Sequence, residues 1–168
     1  MILLLSCNAK QGVEVKTFFS LKDYFDKEIN RLTSEQMKLH KLIVKDGKSE
    51  EKDLQVPIWK SELESFRECD FNRPAWIKSY RVDTFYTANQ THLTYKALEL
   101  KLPVQKLEVI LKSDTVYMIN IMLSKKNAWY SSEQFLSYEA LKGYSIKGTQ
   151  KVVLADPTAY QITADFKP

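Results

Sequence analysis

The sequence predicts an α+β fold in which an N-terminal helix and a short second helix pack on a curved antiparallel meander, half-barrel-like, of about seven to nine strands. Three observations carry that reading. Apolar residues recur at helical spacing between Phe18 and Leu32, and from Pro74 onward the apolar pattern shifts to period two. The turn segments dividing that second region are too short for parallel crossovers, so neighbouring strands run antiparallel. The chain has 168 residues, 44% of them hydrophobic, which suits one compact body with its own core. A strongly twisted sheet of this many strands curls, hence the half-barrel.

The first helix is expected over 20–36, with Leu21, Tyr24, Phe25, Ile29 and Leu32 turned inward, Ser20 as its cap and Asp23 in its first turn. Its other face, Lys22, Asp26, Lys27, Asn30 and Arg31, mixes both signs and reads as solvated. Residues 39–44 are rich in apolar and β-branched side chains, and Asp46-Gly47 is a strong hairpin signal. The returning segment, 49–56, is so highly charged that it belongs at a sheet edge. A second helix is expected from Pro57 or Ile58 to about Cys69, with Ile58, Leu63 and Phe66 inward, before Asn72-Arg73-Pro74 stops it. Strands follow at about 76–87, 91–100, 104–113, 115–125, 128–139, 144–154 and 159–167. The last alternates cleanly, with Tyr160, Ile162, Ala164 and Phe166 inward. Residues 116–123 are apolar on both faces, so that strand is expected to be central, with a helix or another layer covering its second side.

Ahead of this body, Leu4-Leu5-Ser6-Cys7 resembles the lipobox of bacterial lipoproteins, in which cleavage precedes acylation of the cysteine. Ser6 fits the small position beside Cys7, the expected lipidation site. Residues 1–5 are apolar but carry no Lys or Arg and fall short of the about 7–15 residues of a secretory apolar region. Residues 1–7 therefore read as a truncated signal peptide, and an upstream start is expected. The bland alternative is a buried N-terminal strand, with Cys7 an inert small hydrophobe. Residues 8–17 are polar and without period, which suits a tether reaching about 33 Å when extended. The expected architecture is then a single globular α+β domain over 18–168, held to the bilayer through acylated Cys7. No later window approaches the about 18 apolar residues that a spanning helix needs. With Cys7 acylated, Cys69 is left without a disulfide partner.

Together with Phe18-Phe19, Tyr24-Phe25, Asp70-Phe71-Asn72-Arg73-Pro74 and Tyr144-Ser145-Ile146-Lys147-Gly148-Thr149-Gln150-Lys151, these residues make the chain similar to a set of envelope lipoproteins of roughly this size from Gram-negative bacteria of the Bacteroidota type. The resemblance implies a lipid-anchored place in the cell envelope, and Asn8 after the cysteine resembles the pattern sent to the outer membrane. It implies no activity.

A search for chemistry finds little. His40 and His92 fall on different strands, and no Cys/His cluster has zinc-ligand spacing. Glycines at 12, 47, 143 and 148 are too scattered to cradle a phosphate, and no nucleophile elbow is present. The acids Glu50, Glu51 and Asp53, and Glu62, Glu64, Glu68 and Asp70, lie among Lys and Arg and read as solvated faces. Asn89-Gln90-Thr91 reads as a turn. A net charge of +4, from interspersed residues, is not a nucleic-acid footprint. No enzyme activity, metal or other cofactor is expected.

What stands out is the aromatic content: three Trp, nine Tyr and eight Phe. Those of the meander (Tyr80, Phe85, Tyr86, Tyr95, Tyr117, Phe135 and Tyr138) read chiefly as core and cross-strand pairs. In the pair Trp129-Tyr130 one ring must point away from the core, making these two the candidate ligand or partner contact. Two functions are therefore expected: a non-enzymatic binding or scaffold module for another envelope component, or a carrier of a hydrophobic ligand such as an acyl chain or lipid. The second resembles the half-barrel architecture of lipoprotein-trafficking factors. A cavity of several hundred Å³ would favour the carrier, and a filled core the module.

Overall fold

Hairpin, helix and meander signals combine into a nine-stranded antiparallel sheet whose two ends do not meet, with two helices on one face. A computed structural model describes residues 18–168. Helix α1 spans Leu21–Ser34, strands β1 and β2 span Lys38–Lys45 and Lys48–Leu54, and helix α2 spans Trp59–Arg67. A 3-10 turn, Pro74–Trp76, leads into the meander: β3 (Tyr80–Tyr86), β4 (Gln90–Ala97), β5 (Val104–Lys112), β6 (Thr115–Lys126), β7 (Tyr130–Glu139), β8 (Gly143–Val152) and β9 (Thr158–Lys167). The order across the sheet is β2-β1-β9-β8-β7-β6-β5-β4-β3. The first hairpin thus joins the last strand, and the chain between β2 and β3 must travel from one sheet edge to the other.

Ser20 caps α1 as expected, its side chain accepting the Asp23 backbone N–H at 3.1 Å. A second cap comes from far along the chain. Asp70 accepts hydrogen bonds from the Lys22 backbone N–H at 2.9 Å and the Ser20 hydroxyl at 3.2 Å, placing a carboxylate at the positive end of the helix. Asn72 completes this clamp, accepting the Phe18 backbone N–H at 3.0 Å and donating to the Phe19 carbonyl at 3.3 Å. Arg67 reaches Asp26 at 2.6 Å and ties α2 to α1.

The charged strand β2 lies at one edge, as its composition predicts. Two bulges, an extra β5 residue at Gln105 and an extra β6 residue at Tyr117, shift the β5–β6 register and favour a bend. Alternation decides the faces. Leu39, Leu107, Val109, Ile119, Ile121, Leu136, Tyr138, Tyr144, Ile146, Ala164 and Phe166 are all buried and share the helix-covered side. Phe25 of α1 sets its ring edge against Tyr138 at 5.1 Å, Phe66 of α2 meets Tyr144 at 5.7 Å, and Trp59 meets Phe166 at 5.4 Å.

Three expectations need correcting. Ile58 is not inward: it precedes α2 and is 72% exposed, while Trp59, one position on, fills the core at 3%. Strand β6 is interior to the sheet, but no second layer covers its other side among the described residues; Met118 and Met122 lie on an open face, and Met122 is 41% exposed. Glu62 is not solvated, because the side chain points under the sheet to Lys41 at 2.7 Å.

Phe25 is fully buried between Tyr24, Phe66 and Tyr138, so Phe25→Ala is expected to lower stability by about 3–5 kcal/mol, read from the denaturant midpoint. An unchanged midpoint would show that α1 does not dock through this ring.

Candidate functional site

The open face of the sheet carries the candidate site. Outward positions of five adjacent strands align into one cross-strand row, Met122–Phe135–Lys147–Gln161–Val44, fixed by the registers of β6, β7, β8, β9 and β1. Glu133, Thr149 and Ala159 form the next row, and the Asp46-Gly47 turn closes the end. Between them lies a groove of about 540 Å³. Phe135 is 48% exposed, an aromatic ring on a face whose neighbours Ser137 and Glu133 are polar. Among the described residues, the side chains of Lys147 and Glu133 have no ion pair or hydrogen bond. The groove therefore offers apolar surface with a charge of each sign.

The floor of the groove is stiffened from behind. On the helix side the Tyr160 ring packs against Gly148, and its hydroxyl accepts a hydrogen bond from Gln134 at 2.7 Å. A Cβ on Gly148 would stand 2.5 Å from that ring and force it to move. Asp46 is held in place as well, exchanging hydrogen bonds with Ala159 at 3.0 Å through both its backbone and its carboxylate. A smaller polar depression of about 290 Å³, near Ser137, Ser145 and Thr163, lies farther along the same face.

The helix side is filled instead. Phe25, Phe66, Leu136 and Tyr138 are fully excluded from solvent there. Two carboxylates on this side each take two partners: the Tyr138 hydroxyl donates to Glu28, which also binds Arg31 at 2.9 Å, and the Tyr144 hydroxyl donates to Glu62, which also binds Lys41, whereas Glu64 Oε2 is buried without a hydrogen-bond partner among the described residues. A cleft of about 430 Å³ opens only at the C-terminal end of α1, beside Met37, Pro57 and Trp59.

Trp129 lies 73% exposed in the turn before β7, and Tyr130, the first residue of that strand, is half-buried. Neither lines the groove. Cys7, the expected lipidation site, lies outside the described residues, as do residues 1–7 and 8–17, expected to be signal peptide and tether. Cys69 is buried; its thiol donates to the Ser65 carbonyl at 3.0 Å, and burial pushes it up to about 12, far from a reactive thiolate. His40 meets Asp53 at 2.8 Å and His92 meets Gln90 at 3.0 Å, on separate strands. Among the described residues no three His, Cys, Asp or Glu side chains group to hold a metal ion, and no helix is long and apolar enough to cross a membrane. No family model, curated protein or solved structure matches this chain.

Phe135 and Met122 were legible only as apolar residues at positions of the wrong parity. In β7 the buried residues are Ser132, Leu136 and Tyr138, so Phe135 falls on the other face and not in the core.

The buried phenols give a pH signature. Burial raises Tyr138, Tyr24 and Tyr144 far above the ordinary tyrosine range, and the facing carboxylates Glu28 and Glu62 add to it; burial, with a smaller contribution from Cys69, carries Tyr80 to about 12. The unfolded chain loses these protons near pH 10 while the folded chain keeps them. Stability is therefore full below pH 10 and falls as pH rises above it. Tyr144→Phe is expected to flatten that fall in alkaline denaturation curves. A slope identical to the parent would place Tyr144 in solvent.

Proposed function

We propose that this chain is a lipid-anchored bacterial envelope protein whose folded body is a non-enzymatic binding module, taking an apolar segment of a partner protein into the open-face groove. The observation that carries the reading is the contrast between the two faces: the helix side is closed by Phe25, Phe66 and Tyr138, while Phe135 and Met122 stand in an open groove. A carrier must enclose its acyl chain, and the groove is open where the helix side is full. An open groove with a half-exposed aromatic and unpaired charges suits a protein partner's side chains, with Phe135 as the anchor and Lys147 and Glu133 fixing register.

The proposed anchor is Cys7, acylated after removal of residues 1–6, with the body held at the outer membrane. Cys7→Ser is expected to move the protein to the soluble fraction and to abolish incorporation of labelled palmitate. Continued incorporation sinks the anchor proposal.

A photoreactive phenylalanine analogue at position 135 is expected to give one discrete cross-linked product in intact envelopes, and the same analogue at exposed Phe85 none. Phe135→Ala is expected to weaken the association by roughly tenfold or more, the value of one buried ring. If instead palmitate or lysophospholipid raises the melting temperature of the purified protein and Phe135→Ala removes that shift, the groove is a lipid site and the carrier reading replaces this one.

A further inference from the structure

We infer that the end of the sheet bearing Trp129 and Leu154 is a docking rim for an anionic lipid surface. Antiparallel connectivity gathers at this end the turns at 46–47, 98–103, 127–129 and 153–157, together with the first residue of β3. Two of these turns are physically joined, the Val153 backbone N–H donating to the Trp129 carbonyl at 3.0 Å. Their side chains are apolar and exposed: Trp129 at 73%, Val153 at 47% and Leu154 at 102%. Leu154 has a φ of 66°, a left-handed conformation that a leucine adopts only against resistance, so the turn spends energy to present an aliphatic side chain to solvent. Leu100, in the neighbouring turn, is 91% exposed.

Charge selects the occupant. Lys126 and Lys151 both stand opposite Ser131, flanking it from the strands on either side, and Lys125 precedes Lys126. Among the described residues none of these three lysines has an ion-pair partner. The acids at this end include Glu99, paired with Lys101 at 2.7 Å, Asp46, engaged with Ala159, exposed Asp156, and exposed Glu133, two residues along β7 from Ser131. An indole and aliphatic tips backed by unpaired lysines match a bilayer interface with anionic headgroups: the rings and aliphatics enter the headgroup boundary and the ammonium groups meet the phosphates.

The path of the chain agrees. Phe18, where the described residues begin, packs against Tyr80 and Tyr95 at this same end. Under the anchor reading above, on which only this argument rests, a lipid on Cys7 would keep this end within a tether's reach of the membrane. Weak rim contacts then suffice, since tethering makes them intramolecular.

The test uses the full chain carrying Cys7→Ser, so that no acyl group contributes and failure here leaves the anchor reading standing. It is mixed with vesicles of phosphatidylglycerol and phosphatidylethanolamine, or of phosphatidylcholine alone, and sedimented at low and high salt. The expected result is sedimentation with the anionic vesicles at low salt, loss at high salt, and a blue shift of tryptophan emission that Trp129→Phe removes. Lys126→Glu with Lys151→Glu is expected to weaken binding by about tenfold or more. Trp129→Ser with Leu154→Ser is expected to abolish it, and Leu141→Ser, at the opposite end and 74% exposed, to leave it unchanged. All the variants alter exposed side chains, and unchanged melting temperatures would confirm that they fold. Absence of sedimentation at low salt overturns the inference, as does equal loss with Leu141→Ser. Concentration-dependent dimerisation that Trp129→Ser breaks would overturn it too, showing the rim to be a contact between two copies of the chain.

Discussion

Tyr138 is the point on which the two layers depend. It sits on β7, the fifth of nine strands across the sheet, with its ring against Phe25 of α1, Phe66 of α2 and Phe166 of β9 and its hydroxyl on Glu28. A helix pair has no ladder of hydrogen bonds to fix it on a sheet. Its seat is set by which side chains interlock, and edge-to-face rings set the seat more sharply than aliphatics do. The hydrogen bond to Glu28 adds a directional restraint in a place where an unpaired carboxylate would be costly. The bidentate pair of Arg31 with Glu28 holds that carboxylate in position.

Two helices cover only one face, and this has consequences for the other. A strand in a one-layer sheet must alternate, and β9 does, with Ile162, Ala164 and Phe166 under the helices and Gln161, Thr163 and Asp165 outside. Where β6 and β7 break that rule, with Met122 and Phe135 outside, the cost of exposing apolar surface has no return in folding. Gly148 and Tyr160 are placed directly behind this exception. The residues that support the groove floor are thus chosen for close backbone approach and not for burial of their own.

Much of the fold was legible because each signal was local. Ser20 and Asp23 mark a helix start by their own hydrogen bonding, Asp46-Gly47 takes the positive φ angles a tight hairpin demands, and the charged run of β2 advertises an edge. What was hidden was non-local. Nothing in the neighbourhood of Asp70 says that it caps a helix about fifty residues earlier, and nothing beside Glu62 says that Lys41 and Tyr144 await it; both are charged residues in polar stretches until the chain crosses the sheet. The displacement of Ile58 by Trp59 has a similar origin, since a helix shifted by one position turns by about 100° and swaps one side chain for its neighbour. The groove was illegible for another reason: it is made of residues from five strands, and the pairing of β1 with β9 that completes it is not written in any one of them.

The distribution of polar partners separates structural groups from available ones. On the helix side Glu28 and Glu62 each collect two partners, and the lysine and arginine they bind are committed in turn. These groups are spent on the fold, and a second molecule competing for them would have to unfold it. On the open face Lys147 and Glu133 flank Phe135 with no intramolecular partner among the described residues, and at the rim Lys125, Lys126 and Lys151 are equally uncommitted. Exposed lysines are ordinary on a protein surface. Exposed lysines grouped beside a half-exposed Phe, and again beside an exposed Trp and Leu, are not, because apolar groups gain nothing from remaining in water. The same molecule that gives Glu28 and Glu62 two partners each beneath its helices leaves charge and apolar surface together on the open face and at the rim, and those are places where contact with something outside the chain would recover what folding did not.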